Sequence, residues 1–217
     1  MISFHSSCGP ETRLDTGRHS HNLPDGLLLL SDFMTDPTEG CRLLDWIDSQ
    51  PWDFGLRRGV QHYGWRYDYR SRSVLASDHL GPLPEPLAAL AASVAQVAGR
   101  QNGGQARFDQ AIVNAYEPGQ GIADHVDCRP CFGPVIASLS LGDEWPMRFT
   151  HPVHQQSFEL WLPAGSLLIL SGPARYDWTH GIAARKSDAV DGQRRVRQRR
   201  VSVTLRKVIN GQSTTEL

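Results

Sequence analysis

A histidine and a carboxylate two residues apart on an extended segment lie on the same face, because side chains alternate along a strand. His125-Val-Asp127 is such a pair, and its two side chains could grip one cation. The residue to complete the set is His180, in Tyr-Asp-Trp-Thr-His180, which follows the apolar run Ser166-Leu-Leu-Ile-Leu170 and so lies at the edge of a later strand. The rivals His151 and His154 fall in a polar, loop-like His-Pro-Val-His stretch. Two imidazoles and one carboxylate leave three positions open on a non-haem ferrous ion, the arrangement that suits dioxygen chemistry.

Two further groups bear on that chemistry. Arg200 and Arg206 share one face of the alternating stretch Arg-Val-Ser-Val-Thr-Leu-Arg. Six residues of strand span roughly 20 Å, and arginines leaning toward each other would leave about 8 Å, room for a short diacid. The planar guanidinium binds carboxylate through two parallel hydrogen bonds and keeps its charge when buried. Asn114 and Tyr116 also share a face, just ahead of the histidine pair, and both could donate to a carboxylate. Hydrolysis at zinc would need only a water and a base, and would leave the arginine pair unexplained.

The elements that must position these residues follow from periodicity. Leu27–Leu30 suits a short buried strand. Asp36-Pro37-Thr-Glu39 caps a helix whose apolar stripe (Leu43, Leu44, Ile47) runs to Pro51. Pro84-Glu85-Pro86 opens a second helix, with Leu87, Leu90, Val94 and Val97 at helical spacing and Gly99 as its stop. Between the helices, Gln61, Tyr63, Trp65, Tyr67 and Tyr69 alternate with His62, Gly64, Arg66, Asp68 and Arg70, which predicts a β-hairpin. Its aromatic face could pack into a core or stack on bases. Beyond Gly104 come short strands at 111–116, 135–141, 147–149, 157–161, 166–170 and 201–208. The expectation is an α+β, mainly β fold, a sandwich or barrel with a helical buttress. It is a single domain over 23–210, between tails at 1–22 and 211–217.

Composition limits the partners. Lys+Arg 22 against Asp+Glu 23 give a formal net charge of −1, so a polyanion site must come from local clustering. The one strongly basic run, from Arg185-Lys186 to Arg199-Arg200, could be a phosphate-binding loop or merely a solvated one. No apolar run approaches the roughly 20 residues a membrane helix needs, and a soluble, cytoplasmic monomer is expected. Cys128-Arg-Pro-Cys131 has zinc-ligand spacing but lacks a second pair, which leaves two reduced side chains in a loop beside the metal.

Asn-x-Tyr, His-x-Asp, Ser-Leu-Ser-Leu-Gly, Trp-Thr-His-Gly-Ile and Arg-x5-Arg, in this order, resemble the AlkB family of iron(II) and 2-oxoglutarate dioxygenases. The similarity runs from about Leu27 to Val208. It implies a double-stranded β-helix, or jelly roll, with iron on His125, Asp127 and His180. It further implies 2-oxoglutarate on Asn114, Tyr116 and Arg200, with Arg206 toward its other end. Oxygen and 2-oxoglutarate would yield succinate, CO2 and a hydroxylated C–H bond. On an N-methylated base that product sheds an aldehyde, which makes oxidative dealkylation of DNA or RNA the leading expectation. The resemblance also makes the 59–72 stretch a nucleotide-recognition lid, with Gln61, Tyr63, Trp65 and Tyr67 toward a single-stranded or flipped-out base. Against repair stands Arg129, where repair members carry an acid that contacts the damaged base. Several stretches, such as Gln-His-Tyr-Gly and Leu-Arg-Lys-Val, also look closer to the branch that hydroxylates tRNA wobble uridines. A nucleic-acid binder without catalysis is disfavoured, since no ligand position is missing.

Overall fold

The computed structural model describes residues 23–209 apart from 103 and 105; the tails expected at 1–22 and 211–217 lie outside the described residues. The chain begins with β1 (Leu27–Leu30) and α1 (Pro37–Asp48), followed by β2 (Gly59–Tyr63), an irregular stretch and α2 (Glu85–Asn102). Then come β3 (Gln110–Tyr116), β4 (Ile122–His125), β5 (Phe132–Gly142), β6 (Trp145–His151), β7 (Gln156–Leu162) and β8 (Leu167–Leu170). A single helical turn, α3 (Gly172–Tyr176), leads to β9 (Thr179–Ile182), β10 (Ser187–Val190), β11 (Gln193–Val196) and β12 (Arg200–Val208).

The strands form a six-stranded sheet in the order β1-β8-β5-β12-β3-β2, a four-stranded sheet β4-β9-β6-β7 and a separate β10-β11 ribbon. Every pairing is antiparallel. The result is the double-stranded β-helix, buttressed by the two long helices.

The two faces of the large sheet carry different chemistry, and period-two alternation is the cause. Ala111, Val113 and Ala115 of β3 and Val201, Val203 and Leu205 of β12 point outward, onto Leu43 and Ile47 of α1 and Leu87, Leu90 and Val94 of α2. The intervening residues Asn114, Tyr116, Arg200, Ser202, Thr204 and Arg206 point inward and line a cavity between the sheets. Both faces of these strands are therefore shielded from bulk water, one by apolar packing and one by the opposing sheet.

Several expectations need correction. The hairpin is only half present: β2 pairs with β3, and the chain beyond it is held by isolated bridges at Trp65–His79 and Asp68–Ser73. Gly64 stops the strand, with φ +74 and room for no Cβ, which would meet the Asp109 carbonyl oxygen at 1.9 Å. The left-handed residue also resets the alternation. Tyr63 packs with the helices, whereas Trp65 and Tyr67 pack on the opposite, inter-sheet side.

Gly99 does not end α2, which continues to Asn102. It serves instead the close approach of the returning chain, since a Cβ there would lie 2.7 Å from the Gly104 carbonyl oxygen. Cys128 and Cys131 are joined in a disulfide rather than reduced.

The basic run is in large part tied into the fold rather than solvated. Arg185 pairs with Glu159 and Asp188, Arg195 with Asp143, Arg197 with Asp188 and Arg199 with Asp48. Four of its seven cations are thus paired within the fold, while Lys186 and Arg194 stay exposed and Arg200 is buried.

Candidate active site

β4 and β9 bring the ligand candidates together. They pair at Ile122↔Ile182 and His125↔His180, with an irregularity between. Glycines permit that approach: a Cβ on Gly121 would lie 2.2 Å from the Ile182 carbonyl oxygen, and one on Gly181 would lie 2.3 Å from Asp124 Oδ1. The rings of His125 and His180 stand 4.5 Å apart between centroids. Asp127, just past β4, places Oδ2 3.4 Å from His180 Nε2. One donor atom from each of the three falls within 4.8 Å of the others, and this is the one such cluster among the described residues. His151 and His154 instead lie against each other, with ring centroids 4.4 Å apart.

The protonation states suit a cation. Burial pushes His125 down to about 4, helped by His180. Its Nδ1 lies 2.8 Å from the Ala123 carbonyl oxygen, so a proton there leaves the Nε2 lone pair for a metal. Burial alone would raise the Asp127 carboxyl, but Arg206, with Nη2 2.5 Å from Oδ1, and the two histidines hold it well below the usual range. Asp127 Oδ2 and His180 Nδ1 are buried with no hydrogen-bond partner. A neutral imidazole and an ionised carboxylate with an unsatisfied oxygen are what a ferrous ion requires.

A second orphan lies deeper. Arg200 is 0 % exposed, and one nitrogen donates to Ser140 Oγ at 2.8 Å while Nε and Nη1 have no partner. Burial lowers its pKa to about 10, so it remains cationic without a carboxylate beside it. Asn114 and Tyr116 line the same cavity. The Asn114 amide oxygen accepts from Arg58 Nε at 2.8 Å, which leaves its NH2 to donate elsewhere. An acidic co-substrate fits this end. Arg206 is committed to Asp127 and is held over Phe132 at 4.9 Å.

A sequence profile described as the 2OG-Fe(II) oxygenase superfamily matches residues 41–206. The chain belongs to this superfamily. The oxygenase is 38 % identical over 174 residues to the Xenopus tropicalis protein named tRNA (carboxymethyluridine(34)-5-O)-methyltransferase alkbh8, covering 79 % of this chain and 27 % of that one. It is 36 % identical over 224 residues to the Arabidopsis thaliana "Alkylated DNA repair protein ALKBH8 homolog", covering 94 % and 63 %. The chain thus spans about a quarter of the vertebrate relatives it matches. The structure of OsALKBH1 has the same fold, with a TM-score of 0.62 at 20 % identity over 86 % of this chain and 99 % of that one. The superfamily is one of Fe(II)- and 2-oxoglutarate-dependent oxygenases, several of the curated relatives are AlkB homologues, and His125, Asp127 and His180 form the cluster that would hold the iron.

The residues expected to meet a base are scattered. Gln61 is buried against α1, donating to the Ile47 and Gln50 carbonyl oxygens at 2.9 and 3.3 Å, and so serves the helix terminus rather than the cavity. Tyr63 donates to Gln61 Oε1 at 3.0 Å and packs on Trp46. Trp65 lies against His79, and Tyr67 between Tyr69 and Phe132. Arg129 is exposed and donates to the Tyr176 carbonyl oxygen.

The cavity side of β2 belongs to His62, which periodicity placed on the other face and which meets the Tyr69 ring at 5.7 Å; just before the strand, Arg58 lies 5.9 Å from both Tyr69 and Tyr116. The signal that could have found them was Gly64, whose capacity for positive φ marks where an alternating pattern can change sides.

Proposed function

We propose that this oxygenase hydroxylates a modified wobble uridine in tRNA. The observation that carries the reading is electrostatic: among the described residues Asp127 is the only carboxylate lining the central cavity, where it is already paired with Arg206, while Arg200 and Arg206 add two cations. Arg58 reaches the cavity residues Asn114 and Tyr116, and neither it nor Arg57, Arg66, Arg72 or Arg129 forms an ion pair among the described residues. A cationic methylated base would meet no free carboxylate there. A neutral uracil carrying a polar or anionic substituent would not be opposed. The vertebrate relatives named for carboxymethyluridine at tRNA position 34 support the same substrate.

Iron held there would supply activation of dioxygen and cleavage of 2-oxoglutarate. The chain's own residues would do the rest: His125, Asp127 and His180 would hold the ion, and Arg200, Asn114 and Tyr116 would orient the co-substrate. The two sheets exclude water from the reacting centre.

The test is mass spectrometry of tRNA incubated with the protein, Fe(II) and 2-oxoglutarate. A gain of one oxygen on a position-34 uridine, matched by succinate, is expected with wild type and absent with His180→Ala. Succinate without tRNA oxidation would refute the assignment. Oxidative dealkylation is the second reading, favoured by 24 % identity over 187 residues to the Caenorhabditis elegans DNA N6-methyl adenine demethylase. Loss of a methyl group from N6-methyladenine in a parallel incubation would select it.

A further inference from the structure

Arg175 is a buried cation that neither metal ligation nor co-substrate binding uses. It is 1 % exposed and lies in α3, between β8, whose Leu168 and Leu170 line the cavity, and β9, which carries His180. Nη1 donates to the Asp127 carbonyl oxygen at 2.9 Å and Nη2 to that of Cys128 at 3.3 Å. The guanidinium sits 5.0 Å from the Tyr176 ring, and Nε has no partner. No carboxylate forms an ion pair with it among the described residues.

A buried cation satisfied only by main-chain oxygens is costly, and an apolar side chain would fill the space at lower cost. What the arginine adds is a link. α3 is fixed to the start of the large sheet by Ala174 N donating to the Asp25 carbonyl oxygen at 3.0 Å and Ser171 N to that of Gly26 at 2.9 Å. The Asp127 main chain is thereby tied to a rigid turn that leads, four residues on, to His180. Arg206 holds the other end of the same residue, its carboxylate.

We propose that Arg175 is a positioning residue for the metal centre, holding the Asp127 main chain in register with His180 so that the ligand set is formed before the ion arrives. The proposal rests on reading His125, Asp127 and His180 as the metal site. Pre-formation lowers the ordering that binding must impose, so its loss should appear as weaker metal affinity rather than as unfolding.

The experiment is anaerobic titration of wild type, Arg175→Met, Arg175→Lys and Asp127→Ala with Co(II), read by its visible absorption, alongside metal-free thermal melts. Arg175→Met should bind Co(II) at least about tenfold more weakly, with an altered absorption envelope, while the metal-free melt is unchanged or raised because an unpaired buried charge is gone. Arg175→Lys keeps the charge but not the two-pronged geometry, and should also bind more weakly. Wild-type affinity in the Met variant, or in the Lys variant should the Met variant not fold, overturns the proposal. A lowered melt with unchanged affinity shows a structural role only and overturns it as well. If wild type binds Co(II) no better than Asp127→Ala, the metal-site reading itself falls, and this inference with it.

Discussion

At the scale of residues, the site is a set of buried groups left without partners. Arg200 is the clearest: fully buried, cationic, and missing hydrogen-bond partners on two of its nitrogens. Arg200→Met is expected to raise the melting temperature of the metal-free protein or leave it unchanged, since apolar replacement of buried charge is often stabilising by about 1–4 kcal/mol. The same change should weaken 2-oxoglutarate binding by at least about tenfold, the worth of a lost charged hydrogen bond, measurable by calorimetry. His62 is a second case. Burial lowers its pKa to about 4, helped by Arg66, and its Nε2 is unsatisfied. Between pH 6.5 and 4 the unfolded chain binds a proton there that the folded one does not, so stability falls as pH falls through that window. Denaturant midpoints of metal-free His62→Gln at about pH 7 and about pH 5 should differ less than those of wild type. An equal difference would show that His62 is not responsible for that slope.

At the scale of elements, the decisive features are close approaches and ion pairs that no local pattern announces. β4 can lie beside β9 only because Gly121 has no Cβ to strike the Ile182 carbonyl. Gly121→Ala should cost about 1–3 kcal/mol in chemical denaturation and weaken metal binding by prising His125 from His180. The β10-β11 ribbon stands on Asp188, which is buried and accepts from Arg197 at 2.6 and 2.9 Å and from Arg185 at 2.5 Å. Asp188→Asn leaves the fully buried Arg197 without a counter-ion, and a loss of about 3–5 kcal/mol is expected. The sequence showed the arginines of this run as a block of positive charge, because their partners Asp48, Asp143 and Glu159 lie far away along the chain. The helices, by contrast, were legible: the Asp36 cap is seen accepting from Thr38 N at 2.8 Å, and the apolar stripes meet the sheet.

At the scale of the whole molecule, a net charge of −1 conceals an uneven distribution. Four arginines of the 185–200 run are held in ion pairs with carboxylates of the fold, whereas Arg57, Arg58, Arg66, Arg72 and Arg129 form none among the described residues. For tRNA binding, Arg66→Glu and Arg72→Glu should each weaken affinity and flatten its logarithmic salt dependence by about 0.7 for every phosphate no longer neutralised, while Arg195→Gln, at an arginine already paired with Asp143, should change neither. Filter binding across a salt series measures both. The sequence by itself pointed to the chemistry, because ligand type and the two-residue spacing of His125 and Asp127 are local facts that alternation translates into a shared face, whereas the arginine pair was divided by Arg206 turning to Asp127. It also determined the mainly-β class, since most strands carry their own alternating or apolar signature. Only the tertiary structure decided which face of the 61–69 stretch looks inward and which arginines are free. Both depend on interactions between residues distant in sequence: one on the backbone turn at Gly64 against Asp109, the other on carboxylates supplied by other elements.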